Sequence, residues 1–321
     1  MTLNLHPFAK EMELIIKKNN IQALYHFTNI DNLSLIAECN GLWSKERLEK
    51  EGLLSRVIRG GNSLSKDLDI YWGNWNKVSL NWGPKMPMMW HIQQQSHLCF
   101  FLIKPEVALR KGVVFTDRNA TDTNQLRKEG VEGLKLVDFS AVNDPYAYMN
   151  TERKKKKQAE ILIPDEISLD YVKGVAFISE ASRKEGERLW GDKPHPPFII
   201  NKTLFHEGFP VVNSAILTSY NISKGNVTLQ KFDHENTFKL GQKITLLVSV
   251  KSTPGMKTKT IWFGSNEDII DESIIEFDDE NTYWHWSTIN AIDMNEGNYN
   301  VEYYTGDIRW IRIPFLICKS F

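Results

Sequence analysis

Hydrophobic and polar positions change their rhythm several times along this chain. Phe8, Met12, Ile15 and Ile16 recur at helical spacing after His6-Pro7, which predicts a first helix running through Lys18. Ile21–Thr28 alternates and reads as a short strand, and Leu33–Cys39 reads as a helix closed by Asn40-Gly41. Lys77–Trp82 alternates cleanly, and apolar character resumes at Met88-Met89-Trp90 after a proline-rich break. Leu98–Ile103, Gly112–Phe115 and Gly174–Ile178 read as buried strands, and short helices are expected at Gln125–Lys128 and Ser182–Leu189. Scattered strands with a few helices indicate an α+β domain.

From about Asn213 the rhythm becomes that of an all-β unit. Seven short strands are expected at Asn226–Phe232, Lys243–Val250, Thr258–Phe263, Ser273–Phe277, Thr282–Trp286, Tyr299–Tyr304 and Ile308–Ile313. Tyr299 follows Asp293 and Gly297 in the manner of a tyrosine corner, Val301 stands where an antibody domain carries its second cysteine, and Trp262 would fill the core. The expected division is an α+β domain over 1–212 and an immunoglobulin-like sandwich over 213–321.

Charge sharpens that division. The residues up to Leu204 carry 29 Lys and Arg against 25 Asp and Glu, and those from Phe205 onward carry 10 against 15. A mildly basic first part and an acidic second part suit two units with different tasks. Cys39, Cys99 and Cys318 lie far apart with no Cys-x-x-Cys, which supports neither a disulfide framework nor a cysteine zinc site. No His-Glu-x-x-His, Gly-rich nucleotide fingerprint or internal repeat occurs. With no apolar signal core and no run of eighteen apolar residues, a reducing cytoplasm is the expected home and no membrane partner is expected.

Candidate chemistry concentrates before one short strand. Arg153, Lys154, Lys155, Lys156 and Lys157 lead through Gln158-Ala159 to Glu160, and Ile161–Ile163 follows up to Pro164. An anion at the mouth of a buried strand needs a partner or a use; its bland alternative is a strand-edge glutamate beside a solvated lysine run. His26 and Thr28 share one strand face. Thr28, Asn29, Asp31 and Asn32 gather at a strand-to-helix junction, where free N–H groups suit an anionic or polar ligand, although capping accounts for Asn29 and Asp31 equally well.

Three motifs then acquire a common meaning. Tyr25-His26-Phe-Thr28-x-x-x-Asn32-Leu33-x-x-Ile36, Val78-x-Leu-x-Trp82-x-Pro-x-x-Pro87-Met88 and Lys157-Gln158-Ala159-Glu160-Ile-Leu-Ile163 resemble, in order, segments of DarT-type ADP-ribosyltransferase toxins. The resemblance covers about Leu24–Ile178 and leaves the all-β unit outside. It implies an ADP-ribosyltransferase-like domain that uses NAD as co-substrate and modifies a base of single-stranded DNA or messenger RNA. It further implies a catalytic Glu160, NAD held by His26 and Thr28 with support from Asn32, and Trp82 packed on the nicotinamide ring. An arginine between the first two motifs is also implied; Arg59, before Gly60-Gly61, is preferred over Arg56, and the local match there is poor. Arg153–Lys157 would hold the target's phosphates. An antitoxin and a chaperone would be the protein partners. The rival readings are an NAD glycohydrolase with no acceptor, and a catalytically idle protein binding through its sandwich.

Overall fold

The computed structural model describes residues 3–58, 63–219 and 233–319. The chain separates into two compact units, Met1–Phe177 with Leu189–His206, and Ile178–Arg188 with Glu207–Phe321.

The strands of the first unit are β1 (Leu24–Asn29), β2 (Gly41–Trp43), β3 (Lys77–Asn81), β4 (Leu98–Ile103), β5 (Val114–Thr116), β6 (Arg127–Glu129), β7 (Glu160–Pro164), β8 (Glu166–Ser168), β9 (Val172–Phe177) and β10 (Phe198–Ile200). Eight of them form one sheet in the order β10-β9-β4-β1-β3-β7-β5-β6, and β2 pairs with β8. All pairings in the large sheet are antiparallel except β9 with β10. This order places β1, β3 and β7 side by side, so residues 56 to 87 positions apart in sequence become neighbours.

The apolar run Ile161–Ile163 is fully buried, which is why it shows no alternation. Met12 and Ile16 of the first helix, Ala9–Lys18, join the same core. Asn40 closes the helix Leu33–Cys39 in the left-handed conformation, φ 51°. Two local expectations are corrected. Met88-Met89-Trp90 lies in a helix, Pro87–Gln93, because Pro87 occupies its first turn, where its missing N–H costs nothing. The expected helix at Gln125–Lys128 is instead a turn entering β6, which pairs with β5.

The second unit holds β11 (Val211–Thr218), β12 (Thr237–Lys239), β13 (Lys243–Lys251), β14 (Met256–Phe263), β15 (Ile269–Phe277), β16 (Thr282–Asn290), β17 (Gly297–Thr305) and β18 (Ile308–Cys318). They form a three-stranded sheet, β11-β13-β16, and a five-stranded sheet, β12-β18-β17-β14-β15. The sheets face one another: Trp262 on β14 is fully buried and its Nε1 donates to Ser287 Oγ on β16 at 2.9 Å. Val301 pairs across from Trp262, and the Tyr299 hydroxyl donates to the Asn295 carbonyl at 2.8 Å, the bond of a tyrosine corner. The expected strand Asn226–Phe232 lies outside the described residues. Neither β11 nor β12 was anticipated, and β11 runs across the expected 212/213 division.

Candidate active site

Strand β1 brings His26 and Thr28 to a small cleft of about 90 Å³. Its walls are the polar His26, Thr28 and Asn32 with apolar side chains that include Leu35, Leu42 and Val78. The His26 Nδ1 lies 3.0 Å from the Ser79 carbonyl of β3. A carbonyl only accepts, so Nδ1 carries the proton and Nε2 is the acceptor. Burial, and secondarily the nearby Lys45 charge, lower the His26 pKa against the raising effect of the Ser79 bond, which keeps the ring neutral. Thr28 Oγ1 accepts from Asn32 Nδ2 at 2.9 Å and keeps its proton to donate. One acceptor and one donor, two residues apart, fit the two hydroxyls of a ribose. Trp43, another wall residue, has a buried Nε1 with no acceptor among the described residues, a further donor suited to a polar ligand.

Asn32 works differently from its neighbours. Its amide donates to Thr28 Oγ1 and to the Ile58 carbonyl, both at 2.9 Å, and its Oδ1 accepts from the Ile58 N–H at 2.8 Å. Both amide protons are therefore engaged within the protein. Asn32 orients Thr28 and pins Ile58, the residue before Arg59. Arg59 itself lies outside the described residues. Arg56, the less favoured arginine, forms a forked pair with Glu38 at 3.0 and 2.7 Å.

Glu160 begins β7, directly across from Asn81 of β3, which in turn pairs with Tyr25 of β1. It is 9% exposed. Its Oε1 accepts from the Ala120 N–H at 2.9 Å, and its N–H donates to Thr116 Oγ1 at 2.9 Å. Ser79 lies between the two centres: its carbonyl meets His26, and its side chain favours the ionised form of Glu160. Burial pushes the Glu160 carboxyl up to about 7; Asp69 adds to the rise, while the Ala120 N–H, Ser79 and Lys45 oppose it. A carboxyl that titrates near neutral pH can exchange protons with a substrate.

The chain matches, over residues 25–205, the family described as ssDNA thymidine ADP-ribosyltransferase, DarT. That match spans more than half of the chain. The chain belongs to the DarT family. It is similar to solved structures of the same kind: Thermus sp. 2.9 DarT in complex with NAD+, at 18% identity over 58% of this chain and 98% of that one, with a TM-score of 0.47. Thermus sp. 2.9 DarT in complex with ADP-ribosylated ssDNA gives 18% identity over 58% and 97%, with a TM-score of 0.48. Thermosipho africanus DarTG in complex with ADP-ribose gives 18% over 68% and 59%, also with a TM-score of 0.48. None of the curated proteins matches the chain.

Within this DarT-family unit, two sequence expectations need correction. Trp82 does not line this cleft. It is 2% exposed, stacked on Phe115 with ring centroids 5.8 Å apart and edge-on to Phe139 at 5.0 Å, so its ring faces belong to the core beneath the sheet. The five cations expected to hold the target's phosphates are not alike. Thr151–Lys156 is a short helix capped by the Asn150 side chain, which accepts from the N–H groups of Glu152 and Arg153. Arg153 pairs with Asp144 at 2.9 Å and donates to the Ser140 carbonyl. Lys156 pairs with the buried Asp117. Lys157 donates to the carbonyls of Val142 and Asp144 at 2.8 and 3.0 Å. Among the described residues the Lys155 ammonium pairs with the exposed Glu152, and Lys154 is exposed.

Sequence reading missed the segment Asp117–Leu126, which closes over Glu160. Asp117 is 1% exposed; burial raises its pKa, but Lys156, the Leu126 N–H and Arg118 outweigh that and hold it below the usual carboxylate range. Asn74 and Gln125 both donate to the Ala120 carbonyl. Ala120 and Thr116, which meet Glu160, lie 40 and 44 positions from it in sequence, and no local spacing could have marked them.

Proposed function

We propose that this DarT-family enzyme transfers ADP-ribose from NAD to thymidine in single-stranded DNA, with Glu160 as its catalytic carboxylate. The observation that carries the reading is the buried Glu160 carboxyl, one oxygen fixed by the Ala120 N–H and titrating near neutrality. His26 Nε2 and the Thr28 hydroxyl bind a ribose of NAD, and Asn32 holds Thr28 and the backbone leading to Arg59. As the nicotinamide–ribose bond breaks, positive charge develops on the ribose, and ionised Glu160 stabilises it. The thymine ring N–H loses its proton to the same carboxylate as the new bond to ribose forms, and nicotinamide leaves. Arg59 is the arginine of this site, since Arg56 is committed to Glu38.

Lys154 and Lys155 are the cations that meet DNA phosphates. The acidic β-sandwich is a separate module for a protein partner, and the enzyme works as a toxin held in check by an antitoxin.

The test is incubation with labelled NAD and thymidine-containing single-stranded oligonucleotides, followed by mass analysis. The expected result is an oligonucleotide heavier by one ADP-ribose, with nicotinamide released in step. Free ADP-ribose with an unmodified oligonucleotide would make the protein an NAD glycohydrolase, and no release of nicotinamide would leave only a binding protein.

A further inference from the structure

The Glu160 carboxylate does not fix its own direction. Its Oε1 is held by one backbone donor, the Ala120 N–H, at 2.9 Å. Ala120 belongs to an irregular segment, where a backbone direction needs an outside support. That support is visible. The Ala120 carbonyl accepts from Asn74 Nδ2 at 3.1 Å and from Gln125 Nε2. Asn74 Oδ1 accepts in turn from Arg127 at 2.9 Å, and the same guanidinium donates to the Trp72 carbonyl at 2.6 Å. The Asn74 main chain is tied at both ends, its N–H to the Asp69 carbonyl at 2.7 Å and its carbonyl to the Lys77 N–H at 2.9 Å. Asn74, Ala120 and Gln125 are 4%, 2% and 8% exposed, so water does not replace these bonds cheaply.

We propose that Asn74 is a positioning residue for Glu160, acting through the backbone of Ala120. The proposal rests on the reading of Glu160 as the catalytic carboxylate. Asn74 reaches no cleft residue; it holds the carbonyl side of Ala120, so that the N–H side stays aimed at Oε1 and the second carboxylate oxygen keeps a single orientation towards substrate. Gln125 shares the task from within the segment. A displacement of about 1 Å at a reacting group costs on the order of a hundredfold in rate, so a support two bonds removed matters.

Asn74→Asp is the informative change. It is isosteric and keeps the acceptor facing Arg127, while removing the donor to Ala120. Gln125→Glu removes the second donor in the same way and serves if Asn74→Asp fails to fold. The charged groups near Glu160 are Asp69, Lys45 and Arg127; neither variant replaces them, but each adds a carboxylate that by itself raises the Glu160 pKa, so the fall in turnover and the titration shift must also appear in Gln125→Met, which removes a donor to Ala120 without adding charge. In the full-length protein we expect turnover to fall by about tenfold or more, with KM for NAD within about twofold, because His26 and Thr28 keep their own bonds. Loss of the Ala120 N–H, which lowers the Glu160 pKa, moves the acidic limb of the rate profile to higher pH, and carbon-13 NMR titration of the Glu160 carboxyl moves with it. A folded Asn74→Asp protein with wild-type turnover and an unmoved Glu160 titration overturns the positioning role, provided Glu160→Gln is inactive. An active Glu160→Gln instead overturns the catalytic reading of Glu160 on which the proposal stands.

Discussion

Glu160 shows how one buried carboxyl ties chemistry to stability. Its value of about 7, against an ordinary 4.5, means that the folded protein binds this proton more tightly than the unfolded chain. The native state therefore holds more protons between those two values, and stability falls as pH rises through that window, by at most about 1.4 kcal/mol per pH unit. Activity runs the other way, because the ionised form is the one that stabilises positive charge and accepts a proton. Glu160→Gln should lose ADP-ribosyl transfer by roughly three orders of magnitude or more. The same variant should melt higher than the parent at pH 8 and match it near pH 4, since only the parent pays for the buried charge. Thermal melts across that range check the second effect without any assay of turnover. Residual transfer within about tenfold of the parent would remove Glu160 from its assigned role.

Between residues and elements lies the question of what a sequence reveals. Glu160 stood out as a lone anion before a fully apolar run, and period two put His26 and Thr28 on one face, but each pattern also fits a structural residue, and it was the family resemblance that pointed to chemistry. Asn32 was half legible: its position suggested a cap, but its partner is Ile58, 26 residues away. Trp82 was misread because an aromatic beside a ligand strand looks the same whether it faces a cleft or the core; only the packing of Phe115 and Phe139 decides. The strand β6 was taken for a helix because three residues carry too little periodicity to choose between the two. The basic run was the most instructive case. Like charges in sequence suggest a solvated loop, yet Asp117 and Asp144 convert two of them into structural ion pairs. The five cations consequently divide into two groups with different expected phenotypes. Replacing Lys154 and Lys155 with Gln should weaken DNA binding and flatten the slope of log affinity against log salt by about one to two, with the melting temperature unchanged. Replacing Lys156 should leave the buried Asp117 short of a partner, a loss of about 3 kcal/mol for a broken buried pair, and should lower turnover by loosening the segment over Glu160. Fluorescence anisotropy at several salt concentrations, beside thermal melts, separates the two groups; coincident salt slopes for the parent and the Lys154/Lys155 variant would make that face merely solvated.

Across the whole molecule, the residues assigned to chemistry fall in one unit and the acidic excess in the other. From His26 to Glu160, each side chain of the proposed site belongs to Met1–Phe177. The second unit carries 18 acidic against 13 basic residues, a balance that repels phosphates and suits a polypeptide partner better than DNA. Catalysis should therefore survive its removal. A chain ending at Val212 cuts β11 after its second residue and removes Arg309 and Arg312, which meet the buried Glu185 through a guanidinium and a backbone N–H. Such a chain should melt at a lower temperature than the full-length protein. It should nonetheless modify single-stranded DNA at a rate within about tenfold of the parent, since no bond to Glu160, His26, Thr28 or Asn32 described above comes from beyond residue 127. Circular dichroism shows whether the shortened protein is folded, and mass analysis of the oligonucleotide measures its activity. A folded, soluble chain of this length that fails to modify DNA would place the β-sandwich within the catalytic machinery rather than beside it.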